Sequence, residues 1–145
     1  MTLTQALAAL EAAGKIRSRW LPGMAFRRGN KARAMLRRIH AASPSPGAVW
    51  AGWPGTWVRP QDRAELRDAA PDPHDPLTTM ALLLLLREAT GWETLETGFD
   101  GATGKWLARV PWYSHGGMSE VRVYGRGPTE RAAIEAALVA CAEGL

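Results

Sequence analysis

Between Asp75 and Gly91 the sequence contains both a helix start and a helix stop. The Asp75 carboxylate can cap a helix, and Pro76 suits the first helical position because the N–H that it lacks has no partner there. Gly91 is a residue that commonly ends a helix. The residues between them are apolar on nearly every side, and they include the unbroken run from Met80 to Leu86. This pattern predicts a buried central helix.

Three strand candidates and a second helix follow this segment. The strands are predicted over residues 92–97, 105–110 and 119–124, with a turn at 98–104 and a loop at 111–118. Thr129 can cap the last helix, and Glu130 is well placed at the positive end of that helix. The order helix–strand–strand–strand–helix predicts an antiparallel sheet backed by helices, and hence the α+β class.

The N-terminal region gives weaker helix signals. Thr2 and Gln5 have the spacing of a capping box, and Gly14 is a natural stop for the short helix that they begin. Residues 30–39 have a helical apolar pattern after Asn30, although a strand is the competing assignment. Residues 49–58 read as two short strands around the turn Pro54-Gly55.

These signals divide the chain into three segments. A basic, helical or mixed segment covers residues 1–46, and it ends at the Ser/Pro-rich stretch 43–47. Residues 47–74 contain short Trp-rich strands and a linker. Residues 75–145 form the predicted α-β-β-β-α domain.

Charge is distributed unevenly over the 145 residues, whose formal net charge is +4. Residues 1–46 contain nine Lys and Arg side chains and one acid, Glu11. Residues 47–145 contain nine Lys and Arg side chains and thirteen Asp and Glu side chains. A basic segment of this kind favours an acidic protein partner or nucleic acid, although a solvated basic face or pairing within the chain is equally consistent with it. The candidate partner-binding cations are Arg17, Arg19, Arg27, Arg28, Lys31, Arg33, Arg37 and Arg38.

Aromatic residues supply a second candidate contact. The chain has seven Trp residues, most of which we expect to fill the core. Trp112 and Tyr113 lie in the predicted loop 111–118, where side chains are free to bind a partner.

Candidate catalytic and metal-binding residues are few. Ser114 and His115 are adjacent, so their side chains should diverge on an extended chain, and no Gly-x-Ser-x-Gly motif accompanies them. Asp72, His74 and Asp75 could ligate a metal, but Asp75 is better used as a helix cap. We interpret Gly125-Arg126-Gly127 as a turn and the single Cys141 as a buried thiol. We therefore expect no enzymatic activity, cofactor or metal.

The sequence also bears on location. The longest apolar run has seven residues, whereas a membrane span needs about twenty. The N-terminus lacks the order of basic, apolar and small residues that is typical of a signal peptide. We expect no membrane association and a cytoplasmic location.

Several stretches resemble small accessory proteins of phages and prophages of high-GC bacteria. They are the Asp-Pro-capped leucine-rich run 75–91, the opening stretches 9–15 and 21–24, and the C-terminal stretches 106–110 and 127–138. The C-terminal part is similar to phage α–β–α sandwich domains. The resemblance implies a phage or prophage accessory protein and implies no chemistry. Together with the lack of a catalytic constellation and the uneven charge, it leads us to expect a protein that binds and blocks a machine of the bacterial host, which would be a protein or a ribonucleoprotein complex. Anti-defence proteins such as CRISPR–Cas inhibitors are the first class to consider.

Two further resemblances concern element order or a single turn. Double-stranded-RNA-binding domains share the order helix, three strands, helix, but they carry lysines at the start of the last helix, where this chain has Glu130-Arg131-Ala132. Antitoxins of small mRNA-cleaving toxins share the Gly-x-Thr turn found here at 127–129, but not their Pro-Asp-Leu-Pro-Gly strand end. A nucleic-acid-binding regulator that uses the basic segment is the alternative function.

Overall fold

The structure is a computed structural model, which describes residues 1–21, 24–27, 36–38, 41–42, 49–50, 57–58, 70–114 and 117–145. Its helices are α1 (Leu3–Ala12), α2 (Pro76–Thr90) and α3 (Glu130–Glu143). Its strands are β1 (Ala25–Arg27), β2 (Leu36–Arg38), β3 (Ala41–Ala42), β4 (Val49–Trp50), β5 (Trp57–Val58), β6 (Ala70–Pro71), β7 (Glu96–Asp100), β8 (Lys105–Ser114) and β9 (Gly117–Gly127). The predicted α+β class is confirmed.

Within the described residues, the strands form three antiparallel sheets, in the orders β2-β1-β6, β3-β4-β5 and β7-β8-β9. The two strands predicted around Pro54-Gly55 are confirmed as β4 and β5, in which Trp50 pairs with Trp57. Within residues 30–39, Leu36–Arg38 is a strand, so the helix assignment is wrong there and the competing strand assignment holds. The antiparallel partner β1 provides hydrogen bonds that a helical pattern in the sequence cannot reveal.

The chain divides into two compact units, one formed by Met1–Ile16 with Leu82–Leu145 and the other by Arg17–Ala81. This grouping places the N-terminal helix in the same unit as the C-terminal residues. The predicted segments 1–46, 47–74 and 75–145 place them apart.

In the first unit, α3 packs across all three strands of the β7-β8-β9 sheet. Thr129 caps α3 as predicted, because its side chain accepts a hydrogen bond from Ala132 N at 3.1 Å. The contact with β9 is very close at two glycines. A Cβ on Gly125 would lie 2.5 Å from Ala137 N, and one on Gly127 would lie 2.6 Å from Ala132 Cβ. Gly125-Arg126-Gly127 forms the end of β9, so the predicted turn at these residues is wrong.

Helix α1 packs against α3 and buries Ala6, Leu7 and Leu10. The predicted capping box is present, since Gln5 N donates to Thr2 Oγ1 and Thr2 N donates to Gln5 Oε1. Gly14 follows the helix with a φ of 69°, a conformation that favours glycine.

Helix α2 begins where it was predicted to begin. Asp75 Oδ2 accepts hydrogen bonds from Thr78 N at 2.9 Å and from Thr78 Oγ1 at 2.6 Å. The helix ends at Thr90, and Gly91 follows with a φ of 74°. Its expected burial on nearly every side is wrong, because Leu77, Met80 and Leu84 are exposed.

The sheet strands differ from their predicted bounds. The first strand starts at Glu96 instead of residue 92, because Leu95 N bonds Trp92 O in a turn after α2. Strands β8 and β9 extend through most of the predicted loop 111–118 and pair Pro111 with Val121.

In the second unit, hydrogen bonds connect β1 to residues near the start of α2. Ala25 N donates to Thr78 Oγ1 at 2.8 Å, and Asp72 N donates to Ala25 O at 2.8 Å. Trp20 and Met24, which precede β1 in the sequence, are both buried.

Candidate functional site

The most distinctive surface feature is an apolar stripe along α2. Leu77 and Met80 are each 57% exposed, and Leu84 is 46% exposed. Their spacing of three and four residues places them on one face of the helix. We call these three residues the α2 stripe.

The rest of α2 shows why the stripe stands out. Leu82, Leu85 and Leu86 are fully buried. Thr78 is also buried, and its hydroxyl donates to Asp75 Oδ2 and accepts from Ala25 N. The helix therefore has a true core face, and the stripe is additional apolar surface that the described fold leaves in contact with solvent. Contiguous apolar surface of this kind is typical of an interaction site.

A depression continues from the stripe at the C-terminal end of α2. It has a volume of about 420 Å³ and is lined by Leu84, Arg87, Glu88, Gly91 and Glu93. Arg87 Nε donates to Leu95 O at 2.7 Å, so this side chain is held in place. The charged groups surround one end of an apolar strip, which is the usual arrangement of a protein-binding patch.

The predicted cations have different positions. Arg17 is exposed, whereas Arg19 is 7% exposed and engaged within the chain. Antiparallel pairing of β1 with β2 brings the backbones of Arg27, Arg37 and Arg38 together. The side chains of those three residues, and Arg28, Lys31 and Arg33 altogether, lie outside the described part of the chain.

The predicted aromatic contact is not on a loop. Trp112 and Tyr113 lie within β8, where they pair with Glu120 and Met118 of β9. Their side chains are outside the part of the chain that the structure describes. The predicted loop began at Pro111, whereas β8 continues through this residue, beyond the stretch 105–109 that pairs with β7. Among the described residues, one edge of β8 has no strand partner at Pro111, and such an edge tolerates proline.

The candidate metal ligands serve the backbone instead. Asp72 Oδ1 accepts from His74 N at 2.8 Å, and Asp75 caps α2. Within the ranges that the structure describes, no group of three or more His, Cys, Asp or Glu side chains could hold a metal ion. Ser114 lies in β8, and His115 is outside those ranges.

Sequence patterns did not reveal the α2 stripe. Leucines occupy both the buried and the exposed faces of α2, so the pattern of residue types is nearly uniform around the helix. The signal that could have revealed the stripe is the excess of large apolar residues over what one core face needs.

Comparison with family models, curated proteins and solved structures gives no match. None of the helices within the described ranges is long and apolar enough to cross a membrane.

Proposed function

We propose that this is a non-enzymatic interaction protein that docks on a partner protein through the α2 stripe. The observation that carries the proposal is the exposure of Leu77, Met80 and Leu84 along one face of α2. Burying large apolar side chains at an interface releases about 25 cal/mol for each Å² removed from water. A stripe with a charged rim thus supplies both affinity and orientation.

The partner belongs to a bacterial host. The resemblance of stretches 9–15, 75–91 and 127–138 to phage and prophage accessory proteins supports this part of the proposal. The protein would act by obstructing a host machine, most simply an anti-defence target such as a CRISPR–Cas complex. Its site of action is then the host cytoplasm.

The test compares two matched variants in affinity capture from a lysate of a high-GC bacterium. Leu77→Gln with Met80→Gln removes apolar surface from the stripe but keeps good helix formers. Phe99→Gln removes a side chain that is 58% exposed on β7 and does not belong to the α2 stripe. We expect the native chain and the Phe99 variant to recover the same partner in stoichiometric amounts, and the double variant to recover at least tenfold less.

Circular dichroism and thermal unfolding establish that all three chains are folded. Equal recovery by the double variant and the native chain would refute a role for the stripe. Recovery of no stoichiometric partner by the native chain would refute the interaction function.

Nucleic-acid binding is the alternative, and the charge of the basic segment supports it. The pairing of β1 with β2 places the backbones of Arg27, Arg37 and Arg38 side by side. If these side chains contact phosphates, binding to duplex or single-stranded DNA or RNA should weaken by about 0.7–0.9 log units per contact for each tenfold rise in salt. Replacing Arg27, Arg28, Arg37 and Arg38 with Glu should abolish it. The absence of a mobility shift at low salt would exclude this alternative.

A further inference from the structure

A second surface feature is a pocket of about 520 Å³ in the unit formed by Met1–Ile16 and Leu82–Leu145. It lies where the C-terminal ends of α1, α2 and α3 approach β9, and its volume is within the range of small-molecule sites. The α3 end contributes Ala140, Cys141 and Gly144, the other helix ends contribute Leu10, Lys15, Ala89, Thr90 and Trp92, and β9 contributes Arg122, Val123 and Tyr124, with Leu145 beside them.

The charged side chains that line this pocket within the described part of the chain are both basic. They are Lys15 and Arg122, both of which are exposed, and none of the described lining side chains is acidic. Neither cation forms an ion pair with a described residue. Their charge is therefore free to attract an anion.

The helix ends could oppose an anion, since the C-terminal end of a helix carries partial negative charge. Here their carbonyls are partly occupied by the chain itself. Ala13 N donates to Ala9 O, Gly91 N donates to Arg87 O, and Gly144 N donates to Ala140 O. Lys15 and Arg122 bring full positive charges to the same pocket.

Arg122 makes a contact within this lining. Its guanidinium carbon lies 5.0 Å from the centre of the Tyr124 ring, in a cation–π contact. A guanidinium can donate several N–H groups at once to a carboxylate, sulfonate or phosphate. Trp92 and Tyr124 add flat apolar surface to the same pocket.

Cys141 does not add negative charge. Burial raises the pKa of this thiol, and the nearby Arg122 lowers it less strongly, so the thiol is neutral at pH 7.

We infer that this pocket binds a small, flat organic anion, whose charged group meets Arg122 and Lys15 and whose ring packs against Trp92. This site is separate from the α2 stripe, and the inference does not rest on the proposed interaction function.

The test uses two probes with the same aromatic body. Anilinonaphthalenesulfonate carries one negative charge, and N-phenylnaphthylamine is its uncharged counterpart. We expect the native chain to bind the sulfonate at least about tenfold more tightly, as measured by fluorescence titration. Arg122→Gln and Lys15→Gln should each weaken sulfonate binding by about threefold or more, because each removes a charged contact. Arg126→Gln removes an exposed cation of the same strand that does not line the pocket, and it should bind like the native chain.

Cys141 locates the bound probe, because it is the one cysteine in the sequence and it lines the pocket. Its alkylation by iodoacetamide, followed by intact mass, should slow at least about threefold when the sulfonate is saturating. Each variant is compared with itself, with and without probe, since Arg122 also affects the thiol pKa. Equal affinity for the two probes, or an unchanged alkylation rate with the sulfonate bound, would overturn the inference.

Discussion

Gly125 and Gly127 determine how closely α3 approaches the sheet. A Cβ at Gly125 would meet the backbone of Ala133 and Ala137, and one at Gly127 would meet Ala132 and Ala133. Ala133 and Ala137 are themselves fully buried. The smallest side chains on the helix thus face strand positions with no side chain at all, and backbone packs directly against backbone.

Substituting Gly125 by Ala should destabilise the fold, because the new methyl group meets rigid backbone that cannot move aside. We expect a loss of about 2–3 kcal/mol in the free energy of unfolding, measured by urea denaturation.

The control is Gly101→Ala, at an exposed turn position where a Cβ would have no neighbour within 4 Å. Its free energy of unfolding should stay within about 0.5 kcal/mol of the native value. Similar losses in the two variants would show that the close helix–strand contact is not what makes Gly125 necessary.

Residues whose role is local were predictable from sequence, and residues whose role depends on a distant element were not. Asp75 and Thr129 cap helices through groups three residues away, so their chemistry is visible in a short window. Gly98 lies in β7 instead of a turn, and a Cβ there would meet the Arg109 guanidinium of the neighbouring strand. No local pattern indicates that neighbour.

Among the elements, α2 combines two kinds of leucine in adjacent positions. Leu85 is fully buried, whereas Leu84 is 46% exposed and belongs to the α2 stripe. The two residues are chemically identical and differ only in the face of the helix that they occupy.

Leu85→Ala should cost about 2–5 kcal/mol in the free energy of unfolding, because it leaves a cavity in the core. Leu84→Ala should cost less than about 1 kcal/mol, because that side chain already contacts water. Chemical denaturation of the two variants measures the difference, and equal costs would mean that the stripe is not exposed in solution.

The strands were harder to delimit than the helices. Helix caps gave the starts of α1, α2 and α3, but strand ends depend on pairing partners. The β8-β9 hairpin continues past Pro111 because each strand supplies the other with hydrogen bonds. Residues 92–95 precede the sheet, and their backbone bonds to side chains of α2 instead. Trp92 N donates to Thr90 Oγ1, and Leu95 O accepts from Arg87 Nε.

At the scale of the whole molecule, the first unit is discontinuous in sequence. Helix α1 reaches across from the N-terminus to pack on α3, although the two are more than a hundred residues apart. Charge follows the units as well: Arg17–Ala81 contains eleven Lys and Arg against five acids, and the other unit contains seven against nine. The asymmetry seen along the sequence therefore persists in the structure.

A fragment covering residues 75–145 should lack part of its core, because the α3 surface that packs against α1 becomes exposed to water. We expect amides of α3 to exchange hydrogen at least about tenfold faster in the fragment than in the full chain, measured by mass spectrometry. Adding a peptide of residues 1–16 should restore part of the protection. Full protection in the fragment alone would show that 75–145 is an independent domain.

The contact between β9 and α3 also limits how this protein can evolve. Nothing smaller than glycine exists, so Gly125 and Gly127 have no alternative that keeps the spacing. The helix could yield space only by exchanging Ala133 or Ala137 for glycine, which costs about 1 kcal/mol of helix propensity each time. In descendants of this chain, substitutions should accumulate at exposed turn positions such as Gly101 well before they reach this seam.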